Sequence, residues 1–205
     1  MPDTAAENNL AGELSHPKKL PRVPLKYLGP LSRFEKIKVE KKYDLLILLS
    51  GPEPQRTIFE NLLLQELKSF SGKVAMVKGL PKNSAEEEFI YADENKIDVV
   101  SHLSAISLSK LIQQSEMVIC RSGYTSIMDL IKLHQRAIFV ATPGQTEQEY
   151  LAAYLMEKKI FLSFSQSNFS LTRALQKASG FSFTNIFTCP DDYKNILQEF
   201  AQQIK

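Results

Sequence analysis

The 205-residue chain is 43% hydrophobic and 23% charged, an ordinary globular composition that excludes a disordered polymer. Its net charge of +2 supplies no overall attraction to nucleic acid. No apolar run approaches the about 20 residues of a membrane-spanning helix. The first residues also lack the apolar core of an export signal, and two cysteines without metal-ligand spacing fit a reduced, cytoplasmic protein.

Residues 1–42 carry Pro2, Pro17, Pro21, Pro24 and Pro30 and little periodicity, so they read as an extended leader. Residues 17–42 hold nine lysines and arginines against Glu35 and Glu40. A solvated linker accounts for that excess; peripheral contact with an anionic membrane surface is the sharper alternative. From residue 43 onward, short apolar runs alternate with helical patterns. Strands are predicted at 43–50, 73–79, 97–102, 117–123, 137–143 and 160–164. Helices are predicted at 54–70, 104–115, 124–134, 146–159, 169–178 and 190–204. That alternation predicts an α/β fold, a doubly wound, Rossmann-like parallel sheet of about six strands, in one domain over 43–205.

In such a sheet every strand-to-helix corner falls on one rim. The corners here read SGPEPQRT (50–57), SHLSAIS (101–107), RSGYTS (121–126) and TPGQTEQE (142–149). Each is small, polar or glycine-containing, and each opens a helix whose free N–H groups attract anions. Singly, Gly51, Gly123 and Gly144 are turn residues and Ser122 is a cap. Together they predict a phosphate or pyrophosphate site, although neither a P-loop nor a GxGxxG fingerprint is present. Asp129 falls about one and a half turns into the helix that opens at RSGYTS, where a carboxylate suits a ribose cis-diol. The competing reading is a surface acid paired with Lys132. Glu147, Gln148 and Glu149 open the next helix, where they are placed to hold sugar hydroxyls or to satisfy the helix dipole.

With CRSGYTSIMDL (120–130) followed by PGQTEQEYLAAYLMEKK (143–159), the chain resembles the C-terminal, nucleotide-sugar-binding half of GT-B glycosyltransferases, of the MurG-like, family 28 type. The resemblance runs over residues 43–164. It implies a uridine ribose on Asp129, a donor sugar gripped by Gln148 and Glu149, and a uracil edge at the backbone of Leu103. It further implies a diphosphate near Ser50, Gly51, Ser122 and Gly123, with Arg56 or Arg121 beside it. The acid is one carbon shorter than the family's glutamate, the second glutamine is a glutamate, and the first corner carries one glycine and two prolines.

The implied activity is metal-independent transfer of a hexose or N-acetylhexosamine from a UDP-sugar to an acceptor hydroxyl, with no cofactor. No DxD stands at a strand end, and Asp191 with Asp192 reads as a helix cap. The acceptor site and general base belong to the family's N-terminal domain, so residues 1–42 are expected to be an interdomain connection, and this chain alone to be inactive. None of His16, His102 and His134 is placed as a base. A UDP-sugar hydrolase or 2-epimerase of related fold, or a non-catalytic partner domain, are the alternatives.

Overall fold

The computed structural model describes residues 1–5, 9–23, 25–80, 90–92, 97–184 and 193–203. Strands β1 (Tyr43–Leu48), β2 (Val74–Val77), β3 (Ile90–Ala92), β4 (Ile97–Val100), β5 (Ser115–Cys120), β6 (Ala137–Val140) and β7 (Leu162–Phe164) form one sheet in the order β3-β4-β2-β1-β5-β6-β7. All neighbours run parallel except β3, which pairs antiparallel with β4 at the edge. The six predicted strands are therefore present and parallel, and a seventh is added. Three residues within a charged stretch are too few to show a period, which is why β3 was not predicted.

The helices are α1 (Gln55–Leu67), α2 (Ala105–Gln113), α3 (Tyr124–Lys132), α4 (Thr146–Glu157), α5 (Leu171–Ser179) and α6 (Tyr193–Gln203). Asp191 and Asp192, the expected cap of α6, lie outside the described residues, as does Cys189. Side-chain alternation along β1 divides the interior in two. Leu45 and Ile47 join Phe59 and Leu63 of α1, Phe169 just before α5 and Ala174 within it. Leu46 turns the other way, onto Ile112 of α2, Ile127 of α3 and Leu151 of α4. Burial on both faces explains why these strands are continuously apolar.

Chain order along the sheet reverses at β1. The first crossovers step from β1 to β2 to β4, and the chain then returns to place β5 on the other side of β1. Leu48 stands beside Cys120 in register, so the corners after β1 and β5 open side by side. Such a reversal splays the two corners and leaves a crevice at the carboxyl ends of the strands.

The leader departs from the expectation of a merely extended segment. Leu10 and Ala11 are fully buried, and Phe34 is nearly so, in the core layer of α2, α3 and α4. Asp3, also fully buried, organises the turn. Its carboxylate accepts the N–H groups of Thr4, Leu10 and Ala11 and the hydroxyl of Ser15. A 3-10 turn follows at Gly12–Leu14, where Gly12 has φ +52° and a Cβ would run into the Tyr150 hydroxyl. These burials are single residues without periodicity, so the pattern of the sequence does not reveal them.

A leader held this way contributes to stability. Leu10→Ala is expected to cost about 3 kcal/mol, as for a core leucine, read from urea unfolding. A solvated leader would hold the change within about 0.5 kcal/mol.

Candidate functional site

The corner after β1 contributes exposed Ser50 and Gly51, the latter at φ +98°, a left-handed conformation that favours glycine. A Cβ built on Gly51 would find only Thr142 Oγ1 near it, at 4.0 Å. Arg56, on the first turn of α1, is largely covered. Its guanidinium bonds Glu53 and Glu60, the latter at 3.2 Å, and Glu60 also takes Lys78 at 2.8 Å. Its charge is thus balanced within its own helix and that helix's approach.

At the corner after β5, Arg121 is 1% exposed and points inward. Nη1 donates to the carbonyls of Val140 and Ala141 at 2.9 and 3.1 Å, and Nη2 to the carbonyl of Gln55 at 3.1 Å. Its plane lies over Phe59, 4.1 Å from the ring centroid. Burial pushes its pKa down to about 10, so it stays charged at neutral pH. Burial likewise pushes the neighbouring Cys120 thiol up to about 12, which keeps it protonated and unreactive. Arg121 therefore braces the corner rather than presenting its guanidinium to a ligand.

Ser122 is fully buried and donates to the backbone carbonyl of Gln148 at 2.7 Å, joining the β5 corner to α4. Gly123 is the N-cap of α3, and nothing lies within 4 Å of where its Cβ would stand. Approach to the first N–H groups of α3 is therefore unobstructed at that point. Gln148 turns toward the loop: its Oε1 accepts Thr142 N–H at 3.0 Å and its Nε2 donates to Gln145 Oε1. Glu149 Oε1 accepts Gly144 N–H at 2.9 Å. Both side chains assigned to a donor sugar are, in this state, securing the loop at 142–145.

Leu103 is buried at the β4 corner, while Ser104 caps α2 by accepting Ser107 N–H. Two strand spacings separate β4 from β1, about 10 Å. Asp129 is only 8% exposed and is not a solvent-facing acid. Ser32 of the leader donates to its Oδ1 at 2.5 Å. Burial raises its pKa, while the Ser32 hydrogen bond and nearby Arg33 pull it the other way.

The fold thus brings Ser50, Gly51, Ser122 and Gly123 to the switch point, with Gln148 one hydrogen bond away. Asp129 lies deeper along α3, about 9 Å from Gly123 by helical rise. Two participants escaped the sequence reading. Ser32 had no flag in GPLSRF, and Thr142 was one small residue among several in its corner. Thr142 Oγ1 and Arg121 Nε are buried without a hydrogen-bond partner. A cavity of about 450 Å³ opens beside the β6 corner, between α4 residues Glu149 and Met156 and the residues Phe164, at the end of β7, and Gln166. Among the described residues, no group of three or more His, Cys, Asp or Glu could hold a metal ion, and no helix is long and apolar enough to cross a membrane.

Residues 55–186 match the family model described as the glycosyltransferase family 28 C-terminal domain. Among solved structures, the chain is similar to MurG of Acinetobacter baumannii, with 18% identity and a TM-score of 0.51 over 70% of this chain and 42% of that one. It is also similar to ALG13 in solution, with 15% identity and a TM-score of 0.52 over 78% of this chain and 95% of that one. The glycosyltransferase VinC in complex with dTDP is similar at 11% identity and a TM-score of 0.50, over 87% and 44% of the two chains. This chain therefore spans less than half of the MurG and VinC structures. No curated protein matches it.

Two measurements test the inward roles. Arg121→Met keeps much of the volume but strips three carbonyls of their donor, and is expected to cost about 2–4 kcal/mol in urea unfolding. An arginine serving only a ligand would leave stability unchanged. For Asp129, a folded pKa above the ordinary 3.8 means the native chain holds that proton more tightly than the unfolded chain does. Its contribution is present below pH 3.8 and is lost as pH rises through the folded value. Wild-type Tm, measured relative to Asp129→Asn, is expected to fall as pH climbs from below 3.8 toward neutrality.

Proposed function

The chain belongs to glycosyltransferase family 28, as its C-terminal domain, and on that premise we propose that it binds a UDP-sugar at the switch-point rim and presents it for metal-independent transfer to an acceptor hydroxyl. The observation that carries this reading is the pairing of the β1 and β5 corners in register, with the open N-terminus of α3 between them.

In this arrangement the diphosphate lies against Ser50, Gly51, Ser122 and Gly123, the ribose reaches toward Asp129, and the uracil lies along the backbone at Leu103. The acceptor oxygen attacks the anomeric carbon and the bond to UDP breaks. Charge gathers on the departing diphosphate, where helix N-termini and backbone N–H groups meet it without reorganisation. Arg56, already balanced by Glu53 and Glu60, adds little net field. The donor sugar, a hexose or N-acetylhexosamine, meets Gln148 and Glu149 once the loop at 142–145 releases them.

An acceptor half completes the site, either as an N-terminal domain or as a separate partner chain. The basic residues 18–42 would hold the assembly at the anionic, cytoplasmic face of a membrane.

Calorimetric titration with UDP tests the reading. Saturable binding without magnesium, weakened about tenfold by Asp129→Ala through loss of a charge-assisted hydrogen bond, is the expected result. A magnesium requirement overturns metal independence, and absence of binding by the folded chain overturns the donor site.

A further inference from the structure

Glu149, Ala152, Ala153 and Met156 fall at i, i+3, i+4 and i+7 on one face of α4, and together they line the cavity of about 450 Å³ beside the β6 corner. Phe164, at the end of β7, lines it from the sheet, and Ala141 and Pro143 line it from the β6 corner. The space is there because of side-chain size: larger aliphatic residues at 152 and 153 would fill it, and both are alanine. Its volume lies in the range of small-molecule pockets, about 300–1,000 Å³, and like them it is walled mainly by apolar groups. Polar groups on its lip are already engaged. Ser165 Oγ and Ser167 Oγ bond each other at 2.9 Å, and Glu149 Oε1 holds the N–H of Gly144. Gln166 donates through Nε2 to Gln55 Oε1 at 3.2 Å, and its own Oε1 is buried away from solvent. The surface left without a partner is that of alanine, methionine and phenylalanine.

The cavity also has a definite place along the rim. In the donor-site reading above, on which this inference rests, the diphosphate lies at the β1 and β5 corners and the sugar at Gln148 and Glu149. Strands β6 and β7 come next in the sheet, and the cavity opens at their carboxyl ends. Glu149 belongs to both places, so a sugar held on the first turn of α4 stands at the cavity's mouth. From Glu149 to Met156 the wall runs about 10 Å along the helix. An acetyl group is too short to cover that wall, whereas a longer acyl chain can lie along it. A carboxylate at the mouth disfavours any substituent that is itself negatively charged. We propose that the cavity receives an N-acyl chain longer than acetyl, carried by the donor hexosamine, with Ala152 and Ala153 as the specificity-determining residues that make room for it. The driving force is removal of apolar surface from water, and it grows with each carbon taken in. Beyond its amide the chain has no polar group to satisfy, in keeping with a lip whose hydrogen bonds are already made.

Calorimetric titration of UDP, UDP-N-acetylglucosamine and its N-butanoyl and N-hexanoyl analogues tests the assignment, against wild type, Ala153→Phe and Ala153→Ser, each first shown to be folded by urea unfolding. Wild type is expected to bind more tightly as the chain lengthens, by roughly two- to fourfold per methylene for partial to full burial. Ala153→Phe fills the cavity from an exposed helical position, and the ratio of hexanoyl to acetyl affinity should fall to about one. Ala153→Ser, which keeps the room, should retain most of that ratio. If wild type binds UDP but gains nothing with chain length, the acyl site is overturned and the donor site stands. A gain that survives intact in Ala153→Phe puts the chain elsewhere and also overturns it. Wild type binding none of the four overturns the donor site and this inference together.

Discussion

Arg121 ties three chain segments together where the winding of the sheet reverses. From the end of β5 it reaches the last carbonyls of β6 and the first turn of α1, with Phe59 beneath its plane. Removing a guanidinium from water is costly, and three carbonyl oxygens and an aromatic face offset that cost here. Among the described residues no carboxylate pairs with it. Its positive charge is therefore uncompensated directly behind Ser122 and Gly123. In the proposed complex the field at the rim comes from within, from a buried cation and from helix ends, while the cation nearer the surface, Arg56, is neutralised by Glu53 and Glu60. Low surrounding polarity strengthens a field of this origin and shields it from salt.

Around that brace the remaining contacts form a chain of restraint. Ser122 holds α4 through the Gln148 carbonyl, Gln148 holds the loop through Thr142, and Glu149 holds it through Gly144. The β5 corner and the β6 corner are thus mechanically one unit. Side chains that serve a sugar in the proposed complex serve the loop in its absence, so ligand and loop compete for the same hydrogen bonds. The exchange is close to balanced energetically, because each broken bond is replaced by another of similar strength.

The layered architecture could be read from the sequence because strand burial on two faces and helix amphipathicity each leave a repeating pattern. Leu45, Leu46 and Ile47 announce β1, and Ile127, Leu130 and Ile131 announce the inner face of α3. The position of the rim followed from topology alone. Orientation at the rim did not, since RSG states that a corner is polar and tight but not that its arginine faces inward. The same holds for Gln148, whose amide fits a loop and a ligand equally well. Leu10 and Ser32 were hidden for another reason. Their contacts join residues far apart in the chain, and Ser32 meets Asp129 across 97 positions, with no local signature of the meeting.

Three tyrosines fasten the leader to the helices below it. Tyr124 donates to the carbonyl of Pro2, Tyr150 accepts the N–H of Glu13, and Tyr154 reaches Asn9. The first two contacts are made to main-chain atoms, which every residue carries or nearly so. Mutational drift at position 13 can therefore proceed without loosening that contact, and position 2 needs only a carbonyl. The phenols have no such latitude, since phenylalanine would keep the ring and forfeit the bond. Heritable constraint is thereby concentrated on the helices, and the segment they hold is left freer to change its side chains than its path.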